Sequence, residues 1–229
     1  AIIINSPCNP SGTAYTRSDW EGLAEVLAKH PKIYIIADDI YEHIYWGNEK
    51  YSNLLSACPK LKERTIIVNG VSKSYAMTGW RIGYSAAPEP IIKAMTIIQS
   101  QSTTNACSIS QAAAEAALIG PQTAVQEMCK AFKERHDYVI DRFNSLKGFK
   151  CRPCEGTFYA FPNIEDALCH LQLKDDIEFC EKLLEHQGVA IVPGVAFGSP
   201  GHVRLSFAAS FPTLKKALDR IQNFINEIN

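Results

Sequence analysis

Three short β-branched runs, each stopping at a polar loop, set the strongest limit on what this chain can become. They occupy residues 1–4, 33–37 and 65–68. Apolar runs of this length bounded by turn formers read as buried strands. The first leads into Asn5-Ser6-Pro7-Cys8-Asn9-Pro10-Ser11-Gly12, a dense loop signal. A helix is expected next, with Ser18 and Glu21 spaced as a capping box and Leu23, Val26 and Leu27 on one face. The second run ends at Asp38-Asp39-Ile40-Tyr41, and the third ends at Asn69. Residues 42–64 carry no clear period. Strand, helix, strand, a longer connection and another strand argue an α/β sheet with parallel neighbours. A fourth run, residues 82–86, follows the third after about a dozen residues without a helical pattern. A parallel crossover needs at least that many, usually as a helix, so this strand is expected to be antiparallel.

Downstream the pattern turns helical. Residues 88–101 read as a helix with Pro at its first turn, and 108–119 as an alanine-rich helix broken at Gly120-Pro121. A long helix is expected over 123–146, carrying Val125, Met128, Phe132, Tyr138, Val139, Ile140 and Phe143 and ended by Gly148. The domain boundary is placed within it, giving a large domain over 1–134 and a small one over 135–229. In the latter, strand-like runs at 149–151, 157–161, 189–192 and 203–207 interleave with helices at 175–187 and 212–228. That alternation predicts a small α+β domain with helices on one face.

Composition excludes several classes. The 229 residues carry a net charge of −1, so no basic field exists to hold nucleic acid or an anionic membrane. The apolar runs are far shorter than a membrane span. The start has no basic segment and no cleavage-site pattern, and it enters a strand without preamble, which predicts a fragment of a longer protein. Eight scattered cysteines in a long, core-rich chain fit reduced thiols and a cytoplasmic location. Cys151-Arg152-Pro153-Cys154 lacks the second pair that zinc would need, and the six histidines show no ligand spacing, so no metal is expected.

Chemistry gathers at the strand ends. Asn9, Asp38 and Lys73 each lie just past the carboxyl end of a strand, where open α/β sheets bind ligands. An antiparallel fourth strand would bring Arg81 to the same edge. Lys73 sits among small and apolar residues with no acidic neighbour. Burial there favours the neutral amine, by up to about 3–5 pKa units, and a neutral amine is what Schiff-base chemistry needs. A lone Asp38 would ordinarily cap a turn, and Asn9-Pro10 alone would ordinarily be a plain turn. Arg204 stands in the apolar run Val203-Arg204-Leu205-Ser206-Phe207, and a cation there needs an anionic partner. That partner is either an acid on a neighbouring helix or a bound anion.

The stretch Gly70-Val71-Ser72-Lys73-Ser74-Tyr75-Ala76-Met77-Thr78-Gly79-Trp80-Arg81-Ile82-Gly83 resembles the cofactor-lysine signature of class I pyridoxal-phosphate (PLP) aminotransferases. Asn9-Pro10-Ser11-Gly12 and Asp38-x-x-Tyr41 resemble two further motifs of that family. They stand in its order, with Asn9 29 residues before Asp38 and 64 before Lys73. Ala76 to Arg81 and Ser100-Gln101-Ser102-Thr103-Thr104 are most similar to bacterial aspartate-aminotransferase-like members.

The resemblance implies the type I fold of PLP-dependent transferases, a mixed, mostly parallel sheet with helices on both faces plus a small domain. It also implies that Lys73 carries PLP and moves the substrate Cα proton. Asp38 would hold the ring nitrogen, with Asn9 and Tyr41 on the ring oxygen and Ser72 and Arg81 on the phosphate. Arg204 and Asn9 would bind the substrate, with Arg204 clamping its carboxylate. The implied partners are an amino acid such as aspartate, a 2-oxo acid such as 2-oxoglutarate, and a second copy in a homodimer. The family's glycine-containing phosphate loop and the aromatic that stacks on the ring would lie upstream. A PLP-dependent carbon–sulfur lyase, an aminotransferase-like effector domain of a transcription regulator and an inactive fragment are the alternative readings.

Overall fold

The computed structural model describes residues 1–227 and leaves the side chain of Glu227 undescribed. It forms two compact units, one of Ala1–Cys8 with Thr13–Cys129, the other of Asn9–Gly12 with Lys130 and the residues after it.

The first unit holds β1 (Ile2–Asn5), α1 (Arg17–Ala28), β2 (Ile35–Asp38), α2 (Leu54–Ala57), β3 (Thr65–Gly70), β4 (Gly83–Ala86), α3 (Glu89–Ser102) and α4 (Ser108–Ile119). The strands lie in the order β1-β2-β3-β4. The first two pairings are parallel, with Asn5 opposite Asp38 and Asp38 opposite Val68. The third is antiparallel, as the short connection requires, and sets Gly70 opposite Gly83. A Cβ on Gly70 would lie 3.2 Å from the Gly83 Cα, so this pair needs glycine for backbone approach rather than for a turn.

The capping box of α1 differs from the expected one. Thr16 is the cap: its hydroxyl accepts the Asp19 N–H at 3.1 Å, and Asp19 Oδ2 accepts the Thr16 N–H at 2.8 Å. Two overlapping S/T-x-x-D/E patterns compete here. Glu21 is instead occupied by Arg17, at 3.0 Å one turn away. Val26 is 52% exposed, and the helix buries Trp20 and Leu27 against Ile4, Ile35 and Leu54. The stretch without a clear period holds α2 and a 3₁₀ segment, Pro59–Arg64. Its last residue closes α1, which has no basic residue in its own final turn. Arg64 donates to the carbonyls of Leu27 at 2.7 Å, His30 at 2.7 Å and Ile33 at 3.0 Å, which ties the end of α1 and the turn after it to this segment.

Helix α5 (Thr123–Ser145) begins in the first unit and continues into the second. There follow β5 (Tyr159–Ala160), α6 (Glu165–Leu171), α7 (Asp176–Gln187), β6 (Val192–Pro193), β7 (Val203–Ser206) and α8 (Phe211–Glu227). The expected end of the last helix, Ile228, lies outside the described residues. The sheet order is β5-β7-β6, antiparallel throughout. The expected strand at 149–151 is a single bridge from Lys150 to Asn163. The Asn144 side chain takes the next residue's backbone, accepting the Cys151 N–H at 2.8 Å and donating to its carbonyl at 2.9 Å. The run at 157–161 shortens to Tyr159–Ala160 because Thr157 turns left-handed, with φ 66°. Helix α6 was not expected from the pattern; it buries Ala167, Leu168 and Leu171.

Aromatic rings form the core of this unit. Phe143 of α5 stacks on Phe149 at 5.6 Å, Phe149 meets Phe179 of α7 edge-on at 6.0 Å, and Phe179 meets Phe224 of α8 at 5.4 Å. Among the described residues, no helix is long and apolar enough to cross a membrane. Phe179 is fully buried at the middle of the ladder. Phe179→Ala should therefore cost about 3–5 kcal/mol, read as a lower denaturant midpoint. A loss under about 1 kcal/mol, the scale of an ordinary substitution, would show that the ladder is not the core.

Candidate active site

In the first unit the strand register decides what shares an edge. Strands β1, β2 and β3 end in step, so the loops after Asn5, Asp38 and Gly70 leave from one edge. Asn5 joins the first two ends directly, its side-chain amide donating to the Asp38 carbonyl at 3.0 Å.

Asp38 is the last residue of β2 and is half-buried. Burial pushes its pKa up, and the Ile40 N–H, donated to Oδ1 at 3.2 Å, opposes that rise. Tyr41 is buried, 3% exposed, in the turn that follows. Asp39, next to Asp38, is the more buried acid, also 3% exposed. Its pKa is pushed up to about 7, chiefly by burial and further by the charges of Glu42 and Asp38. A hydrogen bond from Asn53 Nδ2 to Asp39 Oδ2, at 3.0 Å, works against that rise. Adjacent residues at a strand end face opposite ways, and two acids in a row there imply that one of them turns inward.

The turn after β3 is anchored on both sides of the lysine. Val71 is fully buried and Ser74 nearly so, while Ser72 and Lys73 between them are half-buried. Carbonyls of Val71 and Lys73 accept from Tyr75 and Ala76, which curls the segment into a single turn. Asn69 locks its entry, accepting the Gly70 N–H at 2.7 Å and donating to Glu42 at 2.6 Å. Tyr75 locks its exit, donating to Gln122 at 2.9 Å. Neither Asn69 nor Gln122 was singled out in the sequence, where an isolated polar amide carries no pattern.

Arg81 is exposed, with φ 50°, and donates to the Thr78 carbonyl at 2.9 Å. Its apolar neighbours do not bury it, and Trp80 is itself 44% exposed. Arg81 precedes Gly83 by two residues, and Gly83 faces Gly70. Ser72 and Arg81 therefore leave from adjoining strand ends.

The second unit brings Asn9 and Arg204 together. Arg204 lies on β7 opposite Val192. Its guanidinium is held between the Tyr159 ring at 4.4 Å and the Phe197 ring at 4.7 Å. Nη1 donates to Asn9 Oδ1 at 2.8 Å. Its Nε is buried and, among the described residues, has no hydrogen-bond partner. Among the described residues no carboxylate pairs with it. The loop carrying Asn9 is fixed from its other end. Gly12, with φ 72°, accepts the Gly156 N–H at 3.0 Å, and a Cβ there would lie 2.4 Å from Cys154 Sγ. Cys154 and Cys151 are buried, and burial pushes both thiols up to about 12. Cys154 thus fills space against the loop while staying protonated. Neither Tyr159 nor Phe197 was singled out in the sequence, since an aromatic in a strand-like run reads as core.

Known proteins resemble this chain over almost its whole length. The family model for class I and II aminotransferases matches residues 1–221. The aspartate/prephenate aminotransferase of Nitrosomonas europaea is 48% identical, over 98% of this chain and 58% of its own length. The aspartate aminotransferase of Bacillus subtilis is 47% identical, over 99% of this chain and 58% of its own length. Among solved structures, the aspartate aminotransferase from Rhizobium meliloti matches with a TM-score of 0.91 and 44% identity, covering 98% of this chain and 57% of that one. The aromatic aminotransferase from Pyrococcus horikoshii OT3 matches with a TM-score of 0.90 and 37% identity, covering 98% and 59%. The chain thus spans less than three-fifths of the length of these relatives.

Asp39 carries a pH signature. Its carboxyl ionises near 3.8 in an unfolded chain and near 7 when folded. Between those values the folded form holds a proton that the unfolded form has lost. This group's stabilising contribution is complete below about 4 and is lost as pH rises through about 7. Asp39→Asn, which stays neutral, should melt several degrees above the parent at pH 8. That gain should shrink as pH falls below 7 and vanish only below about pH 4. A melting difference independent of pH would show that Asp39 is not the titrating group.

Proposed function

Since this chain belongs to the class I and II aminotransferases, we propose that it is the lysine-bearing part of a PLP-dependent transaminase. The reaction moves an amino group between aspartate or a similar amino acid and a 2-oxo acid such as 2-oxoglutarate. The observation that carries the substrate side of this reading is Arg204, a pre-set guanidinium that, among the described residues, has no carboxylate partner and a buried, unpartnered Nε. An unpaired cation in such a place is costly unless an anion binds there. The aspartate-aminotransferase names of relatives at 46–48% identity support the choice of amino acid.

The residues present fit PLP by their donor chemistry. When bound, PLP supplies a ring that accepts the electrons of the substrate's Cα–H bond. Asp38, held at the end of β2, is the acid that keeps a ring nitrogen protonated. Its half-burial strengthens that pairing by excluding water. Tyr41 and Asn9 hold the ring oxygen by hydrogen bonds. Ser72 offers a neutral donor and Arg81 a planar fork to phosphate oxygens. Lys73 takes the substrate Cα proton at its Nζ and later returns it, as general base and then acid. Arg204 orients the substrate by clamping its α-carboxylate, with Asn9 fixing one end of the fork.

Residues 1–134 would belong to the large, cofactor-binding domain and 135–229 to the small domain. The protein would act as a homodimer. Its place would be the cytoplasm, where its eight cysteines, none of them in a disulfide, stay reduced.

Borohydride treatment of the PLP-loaded enzyme should fix a pyridoxyl group to Lys73, located by peptide mapping. A label on another lysine would refute the assignment. Arg204→Lys keeps the charge and loses the fork. Losing one charge-assisted hydrogen bond costs about 1.5–3 kcal/mol, so kcat/KM for amino acids should fall roughly ten- to a hundredfold or more. Melting temperature should hardly change. Lost stability with kinetics intact would mark Arg204 as a structural residue instead.

A further inference from the structure

Arg204 can present a defined edge only if its plane is fixed, and its two aromatic walls are secured by different means. Tyr159 belongs to β5 and is held by the sheet, opposite Ser206. Phe197 belongs to no strand. It ends the 3₁₀ turn Gly194–Phe197 in the loop between β6 and β7, so its position follows from the shape of that loop.

The loop is closed on itself and anchored from outside. Gly194 donates to the His202 carbonyl at 2.7 Å, and its own carbonyl accepts from Ser199 at 3.0 Å. The outside anchor is Asp176, the first residue of α7 and only 1% exposed. Its Oδ2 accepts the Val195 N–H at 2.8 Å, and its Oδ1 accepts the Gly201 N–H at 3.3 Å. These bonds grip the loop two residues before Phe197 and three before Arg204. The helix does not need this carboxylate as its cap, because Asp175 already accepts the Glu178 N–H at 2.9 Å. Both oxygens of Asp176 are thus committed to the loop, and the start of a helix favours the charge they carry.

We propose that Asp176 is a positioning residue for substrate carboxylate binding: by holding Val195 and Gly201 it sets Phe197 against Arg204 and fixes the guanidinium edge offered to the carboxylate. This rests on the reading of Arg204 as the carboxylate site. Asn at 176 would keep the size and one acceptor oxygen, but it would turn an NH₂ toward the second backbone donor. The loop would then loosen without losing its apolar packing.

The test titrates the intact, cofactor-loaded enzyme with succinate, an unreactive dicarboxylate, and measures kcat and KM for aspartate. In Asp176→Asn the succinate Kd and the KM should both rise about tenfold, with kcat much less affected. Phe197→Leu, which keeps apolar bulk but removes the ring face, should raise both severalfold. In an Arg204→Lys background, Asp176→Asn should add little, because the two act as one unit. Unchanged Kd and KM in Asp176→Asn overturn the inference, whether or not the melting temperature falls. So does an equal rise in both backgrounds. If Asp176→Asn does not fold, Phe197→Leu decides, and an unchanged Kd there overturns it. If Arg204→Lys leaves Kd unmoved, both readings fall. If it raises Kd while Asp176→Asn does not, only the inference about Asp176 falls.

Discussion

The backbone pairing of β3 with its two neighbours governs the first unit's share of the chemistry. On one side Val68 faces Asp38, and on the other Gly70 faces Gly83. These contacts put the end of β2, the start of the lysine turn and the approach to β4 at one edge. A register slip of one residue would turn every side chain in β3 to the opposite face. Glycine at both 70 and 83 lets the backbones come close enough to make the last pair. The polar residues around this edge then act locally. Asn69 and Tyr75 hold the two ends of the turn that carries Lys73, and Ile40 holds the Asp38 carboxylate.

The second unit handles a cation in an unusual way. A half-buried arginine is most often neutralised by an acid. Arg204 is held instead by two ring faces and one neutral amide oxygen. Cation–π contacts contribute about 0.5–2 kcal/mol each, which is enough to orient a guanidinium without cancelling its charge. An acid in Asn9's place would satisfy the arginine and remove its appetite for a further anion. The neutral amide leaves the positive charge available while still fixing direction.

Much of this organisation was legible in the sequence because it follows from periodicity and chain length. The β-branched runs marked β1, β2 and β3, and the short connection between 69 and 82 required an antiparallel β4. Helix α4 begins at Ser108 and ends before Gly120-Pro121, as its breakers dictate. What could not be read depends on which of several possible partners each residue takes. Thr16 rather than Ser18 caps α1 because Glu21 is taken by Arg17. The run at 149–151 is no strand because Asn144 takes its backbone. The inward turn of Asp39 rests on Asn53, fourteen residues on and in a stretch without period. The grouping of Asn9 with Arg204 spans 195 residues, a distance at which local pattern says nothing.

The short loop Asn9–Gly12 makes the second unit discontinuous, since the remainder of that unit starts at Lys130. Gly12 accepts the Gly156 N–H and leaves its missing Cβ to Cys154. The unit is therefore closed by a contact of high sequence separation, and closing so long a loop costs entropy that only the finished contact repays. During synthesis the loop emerges long before its seat exists. The asparagine that steadies Arg204 thus reaches its place late in folding, and a cut after Lys130 would sever the arginine from its guide even if every helix and strand downstream survived.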